Sequence, residues 1–154
     1  RQDWDLSRHS EYSGKDLSYE GYTPWIVETS GGVDRTFLFL LMDAYTEDDK
    51  RIYLKLNPKI APYKIAVFPL VRNKEEITKR AWKIYQDLKT KYMTVWDDRG
   101  NIGKRYYAQD EIGTPWCVTV DYELDSVTVR DRDTTKQERV DISRLDSYFQ
   151  NKLK

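Results

Sequence analysis

The sequence predicts an α/β fold in which a partly parallel sheet is covered by helices on both faces. A buried strand pattern at residues 63–70 is followed by a helical pattern that runs to about residue 91. The alternation of strand and helix then repeats over residues 92–121. Helices that cross between strands favour parallel pairing and cover both faces of the sheet. Aromatic residues make up 14% of a chain that is 34% charged, so we expect the core to depend on Trp, Tyr and Phe.

The first third of the chain follows a different pattern. Residues 1–23 are polar and rich in turn residues, which predicts an extended hairpin or loop. Residues 23–29 are typical of a short strand, and residues 33–45 form a helical stretch so apolar that it needs cover on most sides. The acidic run at 47–50 is expected to be a solvated loop, and the two prolines within 57–62 predict a linker and a domain boundary.

The rest of the chain alternates strands and helices up to a final hairpin and helix. Asn73 is the expected N-cap of the first helix, and Gly113 marks the end of the second. The predicted elements in chain order are a strand at 63–70, a helix to about 91, a strand at 92–96, a helix at 102–111, strands at 116–121, 126–131 and 137–142, and a helix at 145–153.

Composition excludes several classes of site. Lys and Arg number 26, as do Asp and Glu, so any polyanion site has to be a local patch. The single cysteine, Cys117, lies in an apolar run, and with the single His9 it cannot build a zinc site, so we expect a reduced core thiol and no metal. No run of about 20 apolar residues is present, which favours a cytoplasmic protein without a membrane span. The start at Arg1 without a methionine indicates a fragment.

The turn around Gly32 is the first candidate site. Gly32, Asp34 and Arg35 lie between a strand pattern and an apolar helical pattern. Such a turn frees backbone amides and places an arginine in the first helical turn, which suits the binding of a nucleotide. Taken alone, the pattern is more often a plain connection between two elements.

Several longer motifs carry a family resemblance over nearly the whole chain. They are Asp5-Leu6 with His9 and 13–17, the run 27–35, the run 62–70, and the run 103–115 followed by 117–121 and 129–133. With these motifs the chain resembles the C-terminal part of the homodimeric class II glycyl-tRNA synthetases. The runs at 62–70 and 103–115 are long enough to be specific.

The resemblance implies a domain organisation and an activity. Residues 1–46 would be the end of the antiparallel class II catalytic domain, 47–61 a linker, and 62–154 an anticodon-binding domain with a mixed five-stranded sheet and helices on both faces. The parent protein would be a homodimeric ligase that attaches glycine to tRNA-Gly with ATP and Mg²⁺. The first two class II signatures are absent from this chain, so the fragment alone is expected to be inactive.

The resemblance also implies roles in glycine and ATP binding. Arg35, the expected catalytic residue, would stack on the adenine of ATP, which suits a planar cation. Gly32 and Asp34 would complete the ATP site. Glu28 and Ser30 would hold the amino group of glycine, since a carboxylate is the natural partner of an ammonium group.

An anticodon-binding domain also needs residues that read RNA. Unstacked bases require cations, exposed aromatic rings, and fixed hydrogen-bonding groups. Carboxylates accept hydrogen bonds from the amino group of cytosine. Glycine anticodons carry cytosine in their second and third positions. The candidate residues for tRNA binding are Asp97, Asp98, Arg99, Lys104, Arg105, Tyr106, Tyr107, Arg130, Arg132, Gln137 and Arg139, with Lys136 beside them.

Other interpretations of these residues and of the chain stay open. The run 130–133 alternates in charge and would suit a solvated, self-paired strand edge. Tyr106 and Tyr107 would also suit packing between a helix and the sheet, with one of the two facing solvent. At the level of the whole chain, the alternatives are a synthetase-like accessory subunit of the mitochondrial DNA polymerase and a sister class IIa synthetase for histidine, threonine or proline.

Overall fold

The computed structural model describes residues 2–154, without the side chains of residues 2–5 and of Glu28. The chain divides into two compact units, one that extends to Phe39 and a second at Leu40–Lys154. The elements of the first part are β1 (Gln2–Asp5), α1 (Leu6–Ser13), β2 (Trp25–Glu28) and α2 (Val33–Ala44). The predicted strand at 23–29 and helix at 33–45 are confirmed.

Two features of this part differ from the sequence-based expectations. Helix α1 lies where a loop was predicted. Only Leu6 and Tyr12 of its eight residues are apolar or aromatic, so its sequence shows no clear helical period, and none of its residues is buried. The apolar residues Phe37, Leu38 and Phe39 of α2 are 53–62% exposed, so the described residues do not provide the cover that was expected for them.

A small hairpin opens the second unit. Strands β3 (Tyr45–Glu47) and β4 (Ile52–Leu54) pair in antiparallel fashion. Beyond β4, the side chains of Leu56 and Ala61 are buried in a cluster with Ala44. Residues 47–61 were predicted as a linker that begins with a solvated loop. Residues 47–50 are exposed, as predicted, and the whole segment lies within the second unit.

The main sheet has five strands, as the resemblance implied. Its strands are β5 (Ile65–Pro69), β6 (Thr94–Trp96), β7 (Trp116–Val120), β8 (Ser126–Asp131) and β9 (Gln137–Asp141). The spatial order is β6-β5-β7-β8-β9. Strand β5 is parallel to both β6 and β7, and β8 is antiparallel to β7 and β9. The predicted mixed sheet is therefore confirmed.

Helices cover the two faces of this sheet unequally. They are α3 (Glu75–Lys89), α4 (Ile102–Ile112) and α5 (Leu145–Lys152), with a 3₁₀ turn at Ile142–Arg144. Because side chains alternate along a strand, Ile65 and Val67 of β5 join the core with α3 and α5, whereas Ala66 and Phe68 face α4. The face covered by α4 alone leaves room for a groove beside that helix.

The ends of helices α3 and α4 differ in how they are capped. The Asn101 side chain caps α4 by accepting a hydrogen bond from the backbone N–H of Lys104 at 2.9 Å. Gly113 ends α4 in the left-handed conformation, with φ of 87°, as predicted. The predicted N-cap at Asn73 is wrong, because the N-cap of α3 is Lys74, which makes no capping side-chain hydrogen bond.

We expect Gly113→Ala to destabilise the second unit more than Gly100→Ala. A Cβ at Gly113 would lie 2.9 Å from Leu56 Cδ1 and 3.0 Å from the Leu54 carbonyl oxygen, and the backbone there has φ of +87°. The contact and the backbone strain together should cost roughly 2–4 kcal/mol in the free energy of unfolding.

Gly100 is the matched control for this substitution. Its φ is +62°, but a Cβ there would meet nothing within 4 Å. Backbone strain alone should cost about 1–2 kcal/mol. Chemical denaturation of both variants measures the difference, and equal costs would contradict the packing described around Gly113.

Candidate nucleic-acid interface

An open groove of about 540 Å³ lies on the α4 face of the main sheet. One side is formed by α4, the floor by β8, and the other sides by the loop of the β3–β4 hairpin and by the β8–β9 turn with the start of β9. The residues that line it are Asp48, Asp49, Lys50, Arg51, Gly103, Tyr106, Tyr107, Arg130, Thr135 and Gln137. The groove thus brings together four of the residues that were predicted from the sequence to bind tRNA.

The two tyrosines of the groove have different environments. The hydroxyl of Tyr106 shares a 2.7 Å hydrogen bond with the Thr119 hydroxyl, and its ring packs edge-on against Phe68. Burial raises the pKa of the Tyr106 phenol. The side chain of Tyr107 is 48% exposed. The expectation that one of the two would face solvent is therefore confirmed, and Tyr107 is the ring available for stacking.

Arg130 forms part of the groove floor, although it is almost entirely buried. Its two terminal nitrogens donate to both carboxylate oxygens of Asp110, at 2.8 and 2.9 Å. Its guanidinium lies over the Tyr106 ring, 4.8 Å from the centroid. Burial alone would lower the pKa of Arg130, but the hydrogen bonds to Asp110 outweigh that effect and raise it, so the group stays charged.

Two further arginines predicted at the RNA surface are buried. Arg105 donates to the carbonyl of Pro69 at 2.6 Å, where β5 ends. Arg132 donates to the carbonyls of Gly113 and Leu56 at 2.7 and 2.8 Å. Burial of these guanidinium groups differs from the expected exposed placement. The reason is that each satisfies backbone carbonyls that would otherwise be buried without a donor.

The acidic turn after β6 lies away from the groove lining. Asp97 is buried and accepts hydrogen bonds from the backbone N–H and Nε of Arg99, at 2.9 and 3.0 Å. Asp98 lies 3.7 Å from Arg72. Both carboxylates were predicted to accept hydrogen bonds from cytosine. Each instead lies beside an arginine of the protein.

The remaining predicted cations are exposed. Arg99 has a side chain that is 86% exposed, and Lys104 lies in the first turn of α4. Arg139 is half exposed and pairs with Asp121 at 2.7 Å. These side chains are accessible to phosphate groups, in contrast to Arg105, Arg130 and Arg132.

The first unit contains a separate recess of about 520 Å³. Its lining includes Ser30, Gly32 and Arg35, three of the residues predicted for glycine and ATP. The carbonyl of Gly32 accepts from both the N–H and the hydroxyl of Thr36, at 2.9 Å each, which fixes the start of α2. Asp34 is exposed in the first turn of α2. The side chain of Glu28 lies outside the described residues.

The loop of the β3–β4 hairpin is the part of the groove that sequence reasoning missed. The run at 47–50 was interpreted only as a solvated loop, and neither it nor Arg51 was expected to line a site. A signal was present in the flanking residues, because apolar or aromatic positions at Tyr45 and at 52–54 enclose five charged residues, a pattern typical of a hairpin.

The groove on this mixed sheet carries tyrosine rings, an arginine and an amide, which are groups that RNA-binding domains use to contact bases. Residues 64–152 match a family model described as the anticodon binding domain. This match covers more than half of the chain, and the chain belongs to that family.

Curated relatives extend the similarity to the whole chain. Glycine–tRNA ligase from Caldanaerobacter subterraneus subsp. tengcongensis is 47% identical over 167 residues, covering 100% of this chain and 36% of the relative. The Chlorobaculum tepidum glycine–tRNA ligase is 49% identical, over 99% of this chain and 35% of its own length. The chain therefore spans about a third of the length of these relatives.

A solved structure supports the fold. The crystal structure of prolyl-tRNA synthetase from Cryptosporidium parvum, complexed with halofuginone and AMPPNP, matches with a TM-score of 0.62 and 26% identity. The match covers 73% of this chain and 24% of that chain.

We expect Arg132→Met to destabilise the protein without any RNA present. The substitution leaves the carbonyls of Gly113 and Leu56 buried without their donors, which should cost about 2–4 kcal/mol in the free energy of unfolding. Arg139→Met removes an exposed ion pair and should change stability by less than about 1 kcal/mol. Denaturation curves that show equal costs would contradict a structural role for Arg132.

Proposed function

We propose that this chain is the anticodon-reading part of a glycine–tRNA ligase, which joins glycine to its tRNA at the expense of ATP. The observation that carries the proposal is the groove, which places Tyr106, Tyr107, Arg130 and Gln137 together in a domain of the anticodon-binding family. The identity of 47–49% to glycine–tRNA ligases supports glycine as the amino acid.

The groove has the chemistry that single-stranded anticodon bases require. The exposed ring of Tyr107 offers a stacking surface, and the exposed amide of Gln137 has both donors and acceptors for base edges. Lys104, Arg99 and Arg139 are exposed cations that would contact phosphates. In this proposal Arg130 forms part of the groove floor, held there by Asp110, while Arg105 and Arg132 support the loops from inside.

The recess of the first unit would contribute to the glycine and ATP site. Arg35 would stack on adenine, with Gly32 and Asp34 beside the nucleotide, and Ser30 and Glu28 would hold the amino group of glycine. ATP would bind with Mg²⁺ in the complete homodimeric enzyme. Because the relatives are about three times as long as the chain, catalysis would need residues that this chain does not contain.

The proposal places this enzyme in the cytoplasm, where protein synthesis consumes charged tRNA. No helix among residues 2–154 is long and apolar enough to cross a membrane.

A short RNA hairpin with the glycine anticodon tests the proposal directly. Fluorescence anisotropy should show binding to the chain, and changing either anticodon cytosine to uracil should weaken it by about 1–3 kcal/mol. Tyr107→Ala should cost roughly 1–3 kcal/mol in binding, because it removes a stacking surface.

Tyr122→Ala is the matched control, since Tyr122 is 64% exposed and lies outside the groove lining. It should leave the affinity unchanged. Equal affinities for the hairpins with and without the cytosines, or equal effects of the two tyrosine substitutions, would refute the proposal.

A further inference from the structure

The loop of the β3–β4 hairpin is a fixed part of the groove. Asp48 accepts hydrogen bonds through Oδ1 from the backbone N–H groups of Lys50 and Arg51, at 2.9 and 3.0 Å. The backbone N–H of Asp48 donates in turn to the carbonyl of Arg51 at 3.0 Å. These bonds define the turn locally, so that the loop presents one shape to the groove.

Arg51 joins this loop to the main sheet. Its side chain is 6% exposed, and its Nη1 donates to Oδ2 of Asp110 at 2.8 Å. The guanidinium also lies 4.1 Å from the ring centroid of Tyr53, and its Nη2 donates to the carbonyl of Asp133 at 3.4 Å. The hairpin is thus attached both to α4 and to the β8–β9 turn by one side chain.

The carboxylate of Asp110 accepts hydrogen bonds from two arginines. Its side chain is fully buried, and Arg130 donates to both of its oxygens while Arg51 shares Oδ2. Two buried cations around one anion are expensive to desolvate, and apolar residues would stabilise a core at least as well. The arrangement does, however, determine the position and plane of both guanidinium groups, because a carboxylate accepts such donors only along defined directions.

We propose that Arg51 is a positioning residue for anticodon recognition, which acts through Asp110 on Arg130. This inference rests on the proposed function of the groove. Arg51 and Arg130 both line the groove, and Arg130 lies over the Tyr106 ring. With Arg51 in place, Asp110 holds Arg130 over the Tyr106 ring, and the hairpin loop forms part of the groove wall. The hairpin therefore belongs to the RNA-reading site.

The test is the ratio of two affinities, measured on the whole chain. One RNA hairpin carries the glycine anticodon, and the other has uracil in place of the middle cytosine. Arg51→Met should lower this ratio by about fivefold, because Asp110 loses one of its two donors and no longer fixes Arg130 in the groove floor. The dependence of affinity on salt should stay within about half a unit of the wild-type slope, since no phosphate contact is lost.

Arg144→Met is the matched control. Arg144 has a side chain that is 78% exposed and pairs with Asp141 at 3.6 Å, outside the groove lining. The ratio of affinities for the two RNA hairpins should be the same in Arg144→Met as in the wild type. A wild-type chain that fails to distinguish the two hairpins refutes the proposed function itself. A wild-type chain that distinguishes them, with an unchanged ratio in Arg51→Met, refutes only the role of Arg51.

Two further variants separate positioning from stability. In Arg51→Met with Arg130→Lys, the ratio should be no lower than in Arg130→Lys alone, because Arg51 acts through Arg130, and additive losses would overturn the inference. Where thermal melting shows that Arg51→Met is unfolded, Arg51→Lys replaces it. Lysine keeps the charge but lacks the planar fork, so the ratio should still fall about twofold, and a wild-type ratio in folded Arg51→Lys would overturn the inference.

Discussion

The carboxylate of Asp110 is the constraint on which the groove of the second unit depends. It lies on α4 and is contacted by Arg130 from the sheet and by Arg51 from the hairpin. Three segments that are distant in sequence are therefore fixed relative to one another by one buried group. The shape of the groove follows from this arrangement, because each of its sides belongs to one of these segments or to the strand turn next to them.

The arginines of this unit divide into two groups with different physical roles. Arg105 and Arg132 donate to backbone carbonyls, and Arg130 to a carboxylate, so these guanidinium groups have their hydrogen-bond acceptors inside the protein. Arg99 and Arg139 keep side chains that are 86% and 48% exposed. A chain with no net charge can still bind RNA, because its exposed cations can form a local positive patch. The buried arginines instead hold the loops that would flank the RNA.

Periodicity and turn chemistry predicted most of the fold, whereas long-range contacts could not be predicted in this way. The strands at 65–69 and 116–120 and the end of α4 at Gly113 have strong local signals. The tRNA-binding residues predicted from the sequence include four that line the groove, Tyr106, Tyr107, Arg130 and Gln137, but none from the loop at 48–51. The burial of Arg132 was missed because its acceptor at Leu56 is 76 residues away, and an alternating charge pattern is the same for a solvated edge.

Chemical-shift mapping tests the central claim most directly. The ¹⁵N-labelled chain is titrated with an unlabelled RNA hairpin that carries the glycine anticodon, and amide shifts are recorded for each residue. The account predicts that the largest changes cluster at Tyr106, Tyr107, Gln137 and the loop at 48–51, with little change along α3. Changes centred on α3, or spread evenly over the surface, would contradict it.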